Sequence, residues 1–188
     1  LKNNNKLLSL IIIGSLPLIV FGYLIYTSDF IHLLRSTKVI ASTTLFFGII
    51  LFFADRRKAN KNISLDLNIR SILIIGIFQI LALIPGVSRA GITITAARFL
   101  NFNRVDSTKI SFLMSIPALA GASFLGLKDV SQQSIEINYL LIISIFFSFI
   151  FSFITIKYFL KSISKISFNV FVVYRIVIAL ILFLIIYY

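Results

Sequence analysis

The sequence predicts an all-α integral membrane protein, a polytopic helical bundle with about five full spans and one re-entrant helix–turn–helix. Three observations lead to this fold class. The 188 residues are 59% hydrophobic, whereas soluble domains are about 45–50% apolar. Long apolar runs recur along the chain without the period-two alternation of a barrel. The 18 basic residues, against six acidic ones, cluster between these runs, as in membrane proteins. We therefore expect a membrane environment and no nucleic-acid partner.

Five runs approach or reach the roughly 17–25 residues that a spanning helix needs. They are residues 7–26, 39–54, 110–127, 137–156 and 168–187, the second being slightly short. We treat residues 1–188 as a single transmembrane domain. Because the chain begins with Leu1 rather than Met, we expect an N-terminally truncated fragment of a longer protein. The absence of cysteine excludes disulfides and thiolate metal sites.

A sixth apolar run, residues 71–84, is too short to cross. Its 14 residues extend about 21 Å as a helix, against a hydrocarbon core of about 30 Å. Thirteen basic residues fall on one set of loops and three on the other, while Arg89 and Arg175 lie in apolar segments. The positive-inside rule places the larger set in the cytoplasm, provided that residues 71–100 enter and leave on that side. The C-terminus is then expected outside.

The interruption itself, IPGVSRAGIT (residues 84–93), has the composition of an anion site. Pro85 and Gly86 are expected to end the first half-helix, and Ser88 to cap the second. Arg89 adds a planar, permanently charged donor fork. Thr93 falls on the first turn of the second half-helix, so its hydroxyl is expected to face the same space.

Three other residues support this interpretation. Gly86 and Gly91 let the backbone approach a ligand closely, and Gln79 places a polar group among apolar neighbours. The positive end of the half-helix favours an anion, most naturally a phosphate. The alternative is a simple Pro-Gly kink with a snorkelling arginine, although intramembrane charges usually have a function.

Four stretches resemble undecaprenyl-diphosphate phosphatases, the bacitracin-resistance family. PGVSRAGIT resembles that family's Pro-Gly-x-Ser-Arg-Ser-x-x-Thr motif. The others, in chain order, are GIFQILALIPG (76–86), SFLMSIPALAGAS (111–123) and IKYFLKSISKISFNVFVVYRIVIA (156–179). The resemblance implies an enzyme of the bacterial inner (plasma) membrane that removes one phosphate from a C55 polyprenyl diphosphate, recycling the lipid carrier of cell-wall synthesis. It also implies an inverted-repeat bundle in which Ser88 and Arg89 bind the diphosphate, Thr93 hydrogen-bonds it and Gly86 shapes the loop.

Two departures from the family pattern stand out. Ala90 occupies the position of the motif's second Ser. The family's upstream Glu-x-x-x-Glu segment, with its Ser and His, has no counterpart, since the only Glu is Glu136 and the only His is His32. The resemblance implies a divalent cation, Mg²⁺ or Ca²⁺, but we find no ligands for it in this chain and expect only half of an active site. A homodimer is left open.

Two alternatives remain at this point. A transporter or flippase of a lipid phosphate would also place broken helices around an anion, and a binding remnant without catalysis would keep the loop alone. Arg175 lies about 10 Å into the last run. We interpret it as snorkelling to the cytoplasmic surface, with packing near the loop as the alternative.

Overall fold

A computed structural model describes residues 2–28, 35–132 and 139–188. Its helices, in chain order, are α1 (Lys2–Tyr26), α2 (Thr37–Asp55), α3 (Ile63–Asp66), α4 (Ile69–Ile80), α5 (Arg89–Phe99), α6 (Arg104–Gln132), α7 (Tyr139–Ile163) and α8 (Asn169–Tyr187). A 3₁₀ turn, Leu81–Leu83, continues α4. His32 and Glu136 lie outside the described residues.

Five of these helices, α1, α2, α6, α7 and α8, are long and apolar enough to cross a membrane. The predicted helical fold and its five spans are therefore confirmed. The fourth span was predicted to end at residue 156, whereas α7 continues to Ile163. The additional turns carry Lys157 and Lys161, whose long side chains allow an apolar helix to extend into the headgroup region.

The predicted helix–turn–helix is also present, between the second and third long apolar helices. Helix α4 and its 3₁₀ turn span 15 residues, Ile69–Leu83, or about 22 Å at ~1.5 Å per residue. The chain then turns and returns as α5. Beyond the end of α5, the Asn101 carbonyl accepts hydrogen bonds from the N–H groups of Asn60 and Lys61, each at 3.1 Å. The two half-helices therefore begin and end at the same edge of the bundle.

Helix α5 lies at the centre of the bundle. It packs against α2, α4 and α6, while α1 pairs with α4 and α2 pairs with α8. Every residue from Ile92 to Arg98 is buried, and small side chains such as Ala96 and Ala97 allow neighbours to approach on all sides. The N-terminus of this central helix carries the IPGVSRAGIT loop.

A close crossing of α1 and α4 fixes the position of the first half-helix. A Cβ atom added at Gly76 would collide with the backbone carbonyl of Gly14. Glycine at position 76 thus lets the two backbones touch, as small residues do between membrane helices. Because this contact fixes α4 against α1, it also fixes how far into the bundle the loop after α4 reaches.

A buried ionic network joins the helix ends on the basic side of the bundle. The Asp55 carboxylate at the end of α2 accepts two hydrogen bonds from Arg104, at 2.7 and 2.8 Å, and one from the Phe168 N–H at 3.1 Å. Arg98, at the end of α5, is 3% exposed and lies 3.5 Å from the same carboxylate. The ends of α2 and α5 and the starts of α6 and α8 are thereby tied together.

Candidate functional site

The loop between α4 and α5 has a strained backbone. Gly86 has φ +88° and Ser88 has φ +66°, a region that costs a residue with a side chain about 1–2 kcal/mol. As predicted, Ser88 caps α5, and its Oγ accepts a hydrogen bond from the Gly91 N–H at 3.2 Å. The N–H groups of Arg89 and Ala90, at the first turn of α5, have no acceptor within the helix. The conformation therefore leaves two amide donors open at the positive end of a helix.

Arg175 holds this loop from the side of α8. Its Nη2 donates to the Gly86 carbonyl at 2.9 Å, its Nη1 to the Val87 carbonyl at 3.0 Å, and its Nε to the Thr44 carbonyl at 3.3 Å. The residue is 7% exposed, so the interpretation of Arg175 as a snorkelling side chain is wrong. Backbone carbonyls satisfy the guanidinium inside the bundle, so it has no need to reach water.

Two threonines of α2 also hold the loop. Thr43 Oγ1 lies 2.6 Å from the Pro85 carbonyl, and Thr44 Oγ1 lies 3.2 Å from the Gly86 carbonyl. Neither threonine was predicted to belong to the site. In sequence, two hydroxyls inside an apolar span are a weak signal, because a threonine hydroxyl can also bond to its own helix.

Gly91 permits the approach of the arginine. A Cβ atom at this position would lie 2.9 Å from Arg175 Nη1. Gly86 packs more tightly still, since its added Cβ would collide with Thr43 Oγ1 and the Ile40 carbonyl. Both glycines of the loop therefore serve close packing against the residues that hold it.

Thr93 does not face the space that the sequence suggested. The residue is 1% exposed, and its Oγ1 lies 2.7 Å from Ser111 Oγ on α6 and 2.9 Å from the Arg89 carbonyl. The packing of α6 against α5 turns this face of the first turn inward. Thr93 thus fixes α5 to α6 beneath the loop.

Arg89 and Gln79 are left without partners in the described part of the chain. Arg89 is half-buried, and the structure gives its guanidinium no hydrogen bond or ion pair, which leaves its donor fork free for an anion. Gln79 is fully buried, yet neither its Oε1 nor its Nε2 has a hydrogen-bond partner. An unpaired buried amide costs about 1–3 kcal/mol, so Gln79 is a costly residue at this position.

A cleft of about 720 Å³ opens from the loop and runs between α7 and α8. Ser88, Gly91 and Arg175 lie at its polar end. The rest of its wall is mainly apolar and includes Phe112, Phe151, Phe159, Phe168 and Phe171. Arg89 does not line this cleft, so the charged group that an anion would meet there is Arg175. The arrangement suits an amphipathic ligand with an anionic head and a long apolar tail.

Among the residues that the structure describes, no carboxylate lines this cleft. In the described residues, no three His, Asp or Glu side chains come together. Asp55 and Asp106 are engaged at the basic end of the bundle with Arg104 and Asn103. Divalent cations such as Mg²⁺ bind oxygen ligands that include carboxylates. The described residues around the loop therefore do not fit a divalent cation.

The fold defines a multi-pass membrane protein in which a strained turn between two half-helices lies at the head of an apolar cleft. The family described as bacitracin resistance protein BacA matches residues 1–181, and the chain belongs to this family. The undecaprenyl-diphosphatase of Pelagibacter ubique (strain HTCC1062) is 62% identical over 188 residues, which is 100% of this chain and 73% of that protein. The undecaprenyl-diphosphatase of Elusimicrobium minutum (strain Pei191) is 44% identical over 178 residues, which is 94% of this chain and 67% of that protein.

Proposed function

We propose that this chain provides the diphosphate-binding part of an undecaprenyl-diphosphatase. The observation that carries the proposal is the strained loop whose open amides and two arginines, Arg89 and Arg175, are not matched by a nearby carboxylate in the described residues. The names of the two relatives favour hydrolysis over the transporter and flippase alternatives. The excess positive charge gives a diphosphate the partners that it needs in a medium of low dielectric constant.

The proposed reaction is hydrolysis of a phosphoanhydride. A water oxygen bonds to the terminal phosphorus, the bond from that phosphorus to the bridging oxygen breaks, and the products are polyprenyl phosphate and inorganic phosphate. Negative charge builds up on the bridging oxygen as the bond breaks, and fixed donors aimed at that charge lower the barrier. The α5 amides and Arg175, at the polar end of the cleft, are proposed as these donors, and Arg89, which lies beside the cap without a partner, as a further group that binds the diphosphate.

The apolar cleft is proposed to bind the isoprenoid tail. Phe159 packs against Phe112 and Phe171, with ring centroids 5.7 and 5.4 Å apart, and these rings form a continuous apolar wall. A hydrocarbon gains about 25 cal/mol for each Å² of apolar surface that it buries. In a membrane this gain is smaller because lipid competes for the same surface, so the cleft mainly orients the tail.

Blocking the cleft provides a test of this orientation. Ser152 on α7 lines the cleft, so Ser152→Trp is expected to raise the KM for a C55 diphosphate about tenfold, equivalent to ~1.4 kcal/mol. The KM for a short-chain prenyl diphosphate should stay near the wild-type value. Ser144→Trp, two turns earlier on α7 and outside the cleft, is the matched control. Equal KM changes for both chain lengths would refute a tail-binding role.

The proposed location is the bacterial inner (plasma) membrane, with the basic edge of the bundle in the cytoplasm. The loop then lies about 22 Å from the cytoplasmic edge, closer to the outer leaflet.

A homodimer would need a large free surface, and the spanning part of α7 has no buried residue within this chain. Cross-linking through cysteines introduced along α7 would detect such a dimer.

The central experiment measures phosphate release from undecaprenyl diphosphate in detergent. It compares the product of the complete gene, its Arg89→Ala variant and the 188-residue chain alone. Arg89→Ala is expected to lower kcat/KM at least ~100-fold, the usual effect of removing a donor to developing charge. We expect the 188-residue chain to bind inorganic diphosphate without turnover. Near-normal turnover by Arg89→Ala would remove this residue from the site, and no turnover by the complete gene product would refute the proposed activity.

A further inference from the structure

All three carbonyl groups that precede the α5 cap are bonded to neighbouring helices. The Pro85 carbonyl accepts from Thr43, the Gly86 carbonyl from Thr44 and Arg175, and the Val87 carbonyl from Arg175. Irregular backbone at membrane depth persists only where its polar groups are satisfied within the protein. Helices α2 and α8 supply these partners.

The carbonyl bonds also determine which way the loop amides point. A trans peptide is planar, so the direction of each C=O fixes that of the next N–H on the opposite side. Binding the Val87 carbonyl to Arg175 therefore turns the Ser88 N–H away from α8. The same contacts hold Ser88 at φ +66°, a conformation that persists only when the surroundings impose it.

Thr43 has a choice of acceptors. Its Oγ1 lies 2.8 Å from the Val39 carbonyl and 3.2 Å from the Ile40 carbonyl, both in its own helix, but 2.6 Å from the Pro85 carbonyl. One hydroxyl proton serves one acceptor at a time, and the shortest contact is the one to the loop. Thr44 Oγ1 has the Gly86 carbonyl of the loop as its acceptor.

Neither hydroxyl is needed to build α2. Valine has the same shape as threonine, tolerates the helix equally well and suits an apolar span better. The hydroxyls of Thr43 and Thr44 therefore serve to bond the loop, whose acceptors lie 42 residues further along the chain.

We propose that Thr43 and Thr44 are positioning residues, a hydroxyl pair on α2 that holds the diphosphate-binding loop in its strained, ligand-ready conformation. The inference rests on the proposed function, in that the loop must bind a diphosphate. It assigns a role to α2, whose charged residues, Lys38 and Asp55, do not line the cleft. The pair acts through the loop backbone and does not touch the reacting atoms.

The experiment measures the affinity of the complete gene product for inorganic diphosphate, together with phosphate release from undecaprenyl diphosphate. The variants are the double substitution Thr43→Val with Thr44→Val, the double substitution of both threonines by Ser, and Ser42→Ala as the matched control. Ser42 is the preceding residue of α2 and is exposed. The valine pair is expected to raise the Kd for diphosphate at least ~10-fold and to lower kcat/KM by a similar or larger factor. The serine pair should recover most of both, and Ser42→Ala should match the wild type.

Affinity separates positioning from mere loss of folded protein. If the valine pair only reduces the folded fraction, the number of binding sites falls while Kd and KM keep their wild-type values, and the inference is overturned. The serine pair keeps both hydroxyls. If it does not recover the diphosphate affinity and kcat/KM, the inference is overturned as well. A wild type that binds diphosphate but releases no phosphate refutes the proposed activity while the Kd comparison still tests the threonines. A wild type that binds no diphosphate overturns both.

Discussion

Replacement of Arg175 with alanine is expected to lower kcat/KM for undecaprenyl diphosphate about 100- to 1,000-fold in the complete gene product. This is the range found when a fixed donor to developing charge is removed. Here the substitution has a second effect, because the Gly86 and Val87 carbonyls lose a charged donor worth about 1.5–3 kcal/mol for each bond. Phosphate release and thermal unfolding in detergent, measured on the same preparation, would quantify both effects.

Two further variants separate the charge of Arg175 from its geometry. Arg175→Lys keeps the charge, but an ammonium cannot hold the Thr44, Gly86 and Val87 carbonyls with one rigid donor fork, and we expect at least ~10-fold loss of kcat/KM. Gly91→Ala keeps Arg175 but places a Cβ atom 2.9 Å from its Nη1, which displaces the guanidinium. A partial loss of diphosphate affinity is expected.

Arg70→Ala is the control for general loss of positive charge, because Arg70 is exposed at the start of α4 and lies outside the cleft. It should change neither turnover nor the unfolding midpoint by much. Wild-type affinity for inorganic diphosphate in Arg175→Ala would show that this arginine contributes nothing to the anion site.

Features that depend on local sequence were predictable. The length of each apolar run limits whether it can cross, so residues 71–84, which Pro85 follows, predict a re-entrant segment from the sequence alone. Ser88 could be assigned as a cap because the preference of serine for that position comes from the geometry of a helix start alone. Both features depend on neighbours in the chain.

Features that depend on distant packing were not predictable. Arg175 lies 88 and 89 positions beyond the loop residues that it binds, Val87 and Gly86, and a single sequence does not show that α8 brings them together. The predicted orientation of the Thr93 hydroxyl was wrong for the same reason. Its partner, Ser111 on α6, is distant in sequence, and the contact with α6 determines which face of the first turn is buried. A stronger sequence signal did exist for Arg175: it is a charged residue inside an apolar span, which favours a functional role over snorkelling.

The site also depends on the ionic network at the opposite end of α5. Arg98 is 3% exposed and donates to the carbonyls of Asp55, Arg57 and Phe102 at 2.6–2.8 Å. Its only nearby countercharge in the described residues is the Asp55 carboxylate, which also binds Arg104 and the Phe168 N–H. The network holds the end of α5 and the start of α8, the two helices that carry Ser88 and Arg175.

Asp55→Ala is therefore expected to destabilise the protein by about 3–5 kcal/mol, the usual cost of leaving a buried charge without its partner. Asp55→Asn should lie between alanine and the wild type, because an amide oxygen can still accept the Phe168 N–H but carries no charge. Asp66→Ala is the matched control, since Asp66 is half-buried and accepts a hydrogen bond from the Asn62 N–H at 2.8 Å. Its removal should cost about 1 kcal/mol, as the loss of a helix cap does.

Unfolding by denaturant in detergent would rank the three variants, and diphosphate affinity measured on the folded fraction would show whether the effect reaches the loop. We expect Asp55→Ala to weaken diphosphate binding several-fold even where it remains folded, because α8 loses the bond that fixes its start and Arg175 shifts with it. If Asp55→Ala unfolds at the same denaturant concentration as Asp66→Ala, the buried network contributes little. In that case the loop must be held by its contacts with Thr43, Thr44 and Arg175 alone.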